Sequence, residues 1–152
     1  MQGQSETTRV LLLGWSLSGG AGRAMDRLHS ALTGLSGDEF EFHLRVIAPA
    51  PEGSPARSGG PKTGWAFDRF NFVRWQLRRG WRHYLLGRPS ALATSADLLT
   101  GMKHEIEESG YDLVNLHWLG NRTISIGEIG RLKIPTIFTL HDMWPLLDTE
   151  HY

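Results

Sequence analysis

The chain has 152 residues, 16 Lys plus Arg balanced by 16 Asp plus Glu, and no cysteine. That length suits one domain with a substantial core and excludes two of ordinary size. The charge balance excludes a global attraction to nucleic acid or anionic lipid, and the missing thiols exclude a disulfide framework or thiolate metal site while permitting a reducing cytosol.

The first residues, Met1 to Thr8, have no basic n-region, and the apolar run Val10 to Leu13 is far too short for a signal peptide or membrane span. A soluble, cytoplasmic protein is expected, and the Asn121-Arg-Thr123 sequon reads as chance. Arg9 to Trp15 reads as a first buried strand. Ser16 to Gly22 follows as a glycine loop, and Arg23 to Leu32 as a helix with a stripe of Ala24, Leu28, Ala31 and Leu32. Glycines at such a junction let backbone N–H groups approach an anion at the helix start, and a phosphate is the natural guest. A tight turn with no ligand is the equally weighted alternative.

Two named phosphate motifs fail on the residues at their key positions. Gly14 and Gly19 have the separation of a Walker A loop, but Gly20-Ala21 stands where Lys-Ser/Thr is required. The dinucleotide fingerprint fails at Met25, and the second strand ends Val46-Ile-Ala-Pro49 without an acid for a ribose.

Phe40 to Ile47 alternates as a second strand, and Ala48 to Gly64, rich in Pro, Gly and Ser, reads as an exposed loop. From Trp65 to Leu86 the period becomes helical, with Phe70, Val73, Leu77, Trp81 and Tyr84 on one side and Arg74, Arg78, Arg79 and Arg82 mostly elsewhere. The stripe is open to two readings: contact with anionic lipid or a polyanion, or packing on the sheet with the arginines solvated. Packing takes precedence, because some helix must cover the sheet face.

After Gly87-Arg-Pro89, Ser90 to Ser109 reads as a further helix with Leu92, Leu99, Met102 and Ile106 apolar, Glu105, Glu107 and Glu108 exposed, and Gly110 as its stop. Asp112 to His117 and Ile134 to His141 are short apolar runs that suit strands covered on both faces of a parallel sheet. The spacer from Ser125 to Leu132 has room for a short crossover helix. His117 and His141 should therefore leave adjacent strands at the carboxyl edge, where ligands of open α/β sheets bind. The expected fold is α/β and Rossmann-like: a mostly parallel open sheet with helices on both faces.

Several of these phrases together resemble one family. Gly19-Gly20-Ala-Gly-Arg23-Ala24 with Arg27-Leu28-His29, Asp112-Leu-Val-Asn-Leu-His117-Trp118, Ser125-Ile126 with Ile129-x-x-Leu132, and Thr139-Leu-His141-Asp142-Met-Trp144 closing on His151-Tyr152 resemble the amino-terminal half of family 4 glycosyltransferases. The likeness is to bacterial enzymes of exopolysaccharide and colanic acid assembly in particular, and it spans nearly the whole chain.

The resemblance implies a GT-B architecture, with an acceptor-side domain facing a donor-side domain across a cleft. It implies retaining, metal-independent transfer, with no cofactor beyond the nucleotide-sugar co-substrate. It implies that Ser18, Gly19 and Gly20 approach the donor diphosphate, that His141 lies near the transferred sugar as the catalytic histidine, and that His117 and Asp142 contact substrate.

Residues 1–152 would then be a truncated amino-terminal domain without the donor-binding half or its Glu-x7-Glu element, inactive alone and completed by a donor domain, in the split-enzyme case on a separate polypeptide. The acceptor would be a polysaccharide or lipid-linked glycan. Localisation would be cytoplasmic, with peripheral contact to the inner face of the membrane through Arg74, Arg78, Arg79 and Arg82, and no nucleic-acid partner.

Two departures stand out. Gly22 replaces the usual alanine, which should loosen the first helical turn by about 1 kcal/mol. Pro145 to Glu150 replaces the family's glycine-containing loop after Trp144. Two other classes stay open: a non-catalytic Rossmann-like module that binds an anion or a protein, and a metal hydrolase using His117, His141, Asp142 and His151, for which no HExxH helix is present.

Overall fold

The computed structural model describes residues 7–61, 69–70, 73, 76–77, 99–119 and 123–141. Five strands form one open, all-parallel sheet in the order β3-β2-β1-β4-β5, with β1 at Thr8–Gly14, β2 at Phe40–Val46, β3 at Arg57–Ser58, β4 at Leu113–Leu116 and β5 at Thr136–Phe138. Among the described residues, three helices with defined ends lie between them: α1 at Gly19–Leu35, α2 at Met102–Glu108 and α3 at Ile126–Ile129. This is the Rossmann-like α/β fold expected from the alternation of short apolar runs with helical ones.

The central strand explains why the sheet is covered on both sides. Successive side chains of β1 point to opposite faces. Val10 and Leu12 pack with Met25 of α1 and with Leu44 and Val46 of β2. Leu11 and Leu13 pack instead with Met102, Ile106, Val114, Leu116, Leu119 and Ile124. Leu11, Leu12 and Leu13 are fully buried, and each contributes roughly 1.5–3 kcal/mol by leaving water. An uninterrupted Val-Leu-Leu-Leu run is what a strand with two apolar faces requires.

Several boundaries differ from the expected ones. Helix α1 begins at Gly19 rather than Arg23, so Gly19 to Gly22 form its first turn and the loop shrinks to Trp15–Ser18. Gly22 belongs there for packing: a Cβ on it would lie 2.4 Å from the backbone of Ser16 and Leu17. The segment 48–64 is not wholly loop, because Arg57–Ser58 adds a two-residue edge strand on β2.

The helix expected over 90–109 has its described part at Met102–Glu108; Leu99 to Gly101 are not helical, and residues 90–98 lie outside the described set. The cause is the Glu128 carboxylate, which accepts from the backbone N–H groups of Thr100 and Gly101 and holds the chain in a turn with Gly101 at φ 85°. Gly110 ends the segment as expected, in the left-handed region at φ 67°.

Three expectations about burial also change. Glu105 and Glu107 are half-buried rather than exposed, Glu105 against Arg45 at 2.5 Å and Glu107 against Lys103 at 2.5 Å. Thr136, Ile137 and Phe138 of β5 are exposed rather than covered on both faces, because β5 is the outermost of the described strands on its side. The helical residues Phe70, Val73 and Leu77 are 56%, 50% and 69% exposed, so this part of the stripe does not pack on the sheet. Trp81, Tyr84, Arg74, Arg78, Arg79 and Arg82 lie outside the described residues.

Candidate functional site

In this strand order the chain leaves β1 for β2 on one side and reaches β4 on the other, so a crevice opens at the carboxyl ends of β1 and β4. A cavity of about 550 Å³ occupies it, and its walls include Gly14, Trp15, Ser18 to Gly22, His117, Trp118 and His141. Gly19, Gly20, His117 and His141 are thus gathered on one rim of the sheet. Ser18 is there too, while Asp142 lies outside the described residues.

One wall is the start of α1. Ser18 is its N-cap residue, yet its side chain does not cap the helix; its Oγ lies 2.7 Å from the Ser16 Oγ, and the Ser18 N–H donates to the same Ser16 oxygen at 3.2 Å. No acidic residue occupies the first turn. The positive end of a 17-residue helix therefore meets the crevice without an internal counter-charge.

The glycines of that turn have different reasons to be glycine. Gly19 has φ +76°, a conformation that side chains rarely adopt, and Gly22 is held by the close approach already described. Gly20 has neither constraint: its φ is ordinary and a Cβ there would meet nothing within 4 Å. Nothing within the described chain demands glycine at position 20.

The opposite wall is built from the ends of β4 and β5. His117 continues the β4 ladder, its N–H donating to Leu13 O at 2.8 Å. Thr139 is fixed twice, its N–H donating to Leu116 O at 2.9 Å and its Oγ1 to Asn115 Oδ1 at 2.9 Å. Two residues further on, His141 reaches the site from the loop after β5 rather than from the strand end itself. Its Nε2 lies 2.9 Å from His117 Nδ1, and the rings stack with centroids 5.1 Å apart.

His117 is only 3% exposed, and its other nitrogen, Nε2, is buried without a hydrogen-bond partner. Burial, and secondarily the charge of His141, pushes its pKa down to about 4. His117 is therefore neutral near pH 7, and in its bond to His141 one of the two facing nitrogens donates and the other accepts. A bonded imidazole edge of this kind can donate to or accept from hydroxyl and phosphate oxygens.

Three features were not anticipated. Gly14 lets Met25 and His117 approach the end of β1, since a Cβ there would lie 3.0 Å from Met25 Cε and 3.5 Å from His117 Cβ. A glycine ending an apolar strand was the available signal. Trp15 and Trp118 line the cavity, linked by a 3.2 Å backbone bond from Trp15 N–H to Trp118 O.

The third is Glu128, buried at 4% exposure, with Ser125 completing a reciprocal capping box on α3. The Ser-x-x-Glu spacing just before Ile129 announces it in sequence. Burial pushes the Glu128 carboxyl up, but the hydrogen bonds from Ser125 and Thr100 outweigh that and hold it below the usual range. Among the described residues no group of three His, Cys, Asp or Glu is arranged to hold a metal.

The site thus defines a Rossmann-like domain with a crevice at the switch point of its sheet. Compared with known proteins, the chain matches no family model, no curated protein and no solved structure.

Proposed function

We propose that this domain is the acceptor-side half of a retaining GT-B glycosyltransferase, acting on a nucleotide sugar held between it and a donor domain. The observation that carries the reading is the meeting of an uncapped, acid-free helix start with a bonded imidazole pair across one crevice. Breaking a sugar–phosphate bond develops negative charge on the diphosphate and positive charge on the sugar ring. The N–H groups at Gly19 and Gly20 stabilise the first, at the positive end of the α1 dipole. Gly20, free of internal demands, leaves that backbone open to close approach.

His141 faces the sugar as a hydrogen-bonding group near the reacting carbon, and His117 holds its ring. Polysaccharide or lipid-linked glycan acceptors are the substrate class that the family resemblance carries.

The test is titration of the isotopically labelled chain with pyrophosphate and with UDP-glucose or GDP-mannose, read by amide and imidazole resonances. Shifts centred on Gly19 to Gly22 with both probes, and on His141 only with the nucleotide sugars, are expected. His141→Ala should keep the pyrophosphate response and lose the sugar-dependent one. A sugar-dependent response that survives His141→Ala assigns the crevice to an anion-binding module without this chemistry, and silence at Gly19 to Gly22 removes the diphosphate role altogether.

A further inference from the structure

We propose that a second cavity, independent of the crevice and of the sugar-transfer reading, binds a small phosphate monoester. It lies beside β2, has a volume of about 480 Å³ and shares no described wall residue with the crevice. Its walls include Arg9, His43, Arg45, Arg57, Ser109 and Tyr111, and no carboxylate occurs among the described residues that line it. That volume is in the range of small-molecule sites, so an organic remainder fits beside the phosphate.

The positive charge there exceeds what the fold neutralises. Three guanidinium groups meet two carboxylates: Arg9 lies 3.4 Å from Glu41, while Arg45 at 2.5 Å and Arg57 at 3.5 Å share Glu105. Arg45 and Arg57 are also direct partners in the pairing of β2 with β3, where like charges repel. Buried Arg45 holds Glu105 closely, so Arg57, with 66% of its side chain exposed, is the arm with charge to spare.

The second observation is a shortage of acceptors. Three buried side-chain nitrogens among the described residues have no hydrogen-bond partner, and two of them, His43 Nε2 and Arg45 Nε, belong to this cavity's walls. His43 Nε2 lies 3.2 Å from Glu41 Oε1, yet without hydrogen-bond geometry. A buried donor without an acceptor is costly, and no bond of its own holds either nitrogen away from a ligand. A phosphate monoester has three terminal oxygens for His43, Arg45 and Arg57, one more than a carboxylate offers.

The experiment is titration of the isotopically labelled whole chain with glycerol 3-phosphate, glycerol and glycerate at constant ionic strength, read at the arginine Nε–Hε and His43 ring resonances. Glycerol 3-phosphate should shift the Arg45, Arg57 and His43 signals with a Kd on the order of 1 mM. Glycerate should bind more weakly, and glycerol should shift none of them. Arg57→Gln, at an exposed position, should weaken the glycerol 3-phosphate response about tenfold and leave any response at Gly19 to Gly22 unchanged. Silence of these three signals in the wild type overturns the proposal without any variant, as does glycerate bound as tightly as glycerol 3-phosphate. A folded Arg57→Gln variant that binds like the wild type overturns it too. Shifts confined to Gly19 to Gly22 assign the phosphate to the crevice alone, and loss of the crevice response with these three signals still moving leaves the second site standing.

Discussion

Two helix starts in this molecule solve the same problem in opposite ways. At α3 the Ser125 Oγ accepts from the Glu128 N–H while the Glu128 carboxylate accepts from the Ser125 N–H, and the same carboxylate takes N–H groups from Thr100 and Gly101. At α1 the N-cap serine turns to Ser16, no acid stands in the first turn, and a cavity lies in front. A helix start satisfied by its own side chains ties the fold together. One left without them has capacity for an outside anion.

Breaking the closed start should have the largest effect. Glu128→Ala removes the acceptor for several buried donors across two segments, and about 3 kcal/mol or more of stability should be lost in denaturant unfolding. The crevice should suffer less, because α3 does not line it.

Acid should separate the two regions by pH. His117 binds protons more readily when unfolded, with its pKa falling from 6.5 to about 4 on folding, so stability should fall as pH drops through that window. Up to about 3 kcal/mol is expected, and His117→Gln should flatten the slope between those limits in urea titrations at stepped pH. The depressed Glu128 carboxyl acts lower: its contribution is present above its ordinary value of 4.5 and disappears as pH falls through its folded pKa.

Gly22→Ala should cost about 1–3 kcal/mol, since its methyl would meet the Ser16–Leu17 backbone, whatever alanine gains in helix propensity. Thermal melts beside Gly20→Ala, which has open space and should be neutral or stabilising, would check it. The smallest effect on stability sharpens the comparison most. Ala21→Glu places on α1 the Ser-x-x-Glu spacing of α3, and should raise stability by about 0.5–1 kcal/mol while weakening pyrophosphate binding in calorimetry. Unchanged pyrophosphate binding would remove the anion role of this helix start.

Much of this was legible locally. The leucines of β1 and the apolar run ending at His117 report buried strands, the alternation of β2 and the run near His141 report further strands, and parallel pairing follows from the helical spacers between them, although β5 proves exposed. The start of α1 was misjudged by four residues, because three glycines in seven read as loop until the approach of Gly22 to Ser16 and Leu17 is seen. The exposure of Phe70, Val73 and Leu77 was equally hidden, since periodicity says that a helix has an apolar side but not what that side meets.

Sequence by itself determined four of the five strands, the two apolar faces of β1 and the placing of His117 and a glycine-rich turn at strand ends, since each depends on neighbours a few residues away. Tertiary structure alone decided that β1 lies between β2 and β4, that His117 and His141 bond at 2.9 Å across 24 residues, and that Glu128 shapes the chain at Thr100. Those outcomes depend on which distant polar groups meet once water is excluded, and no local period encodes that meeting.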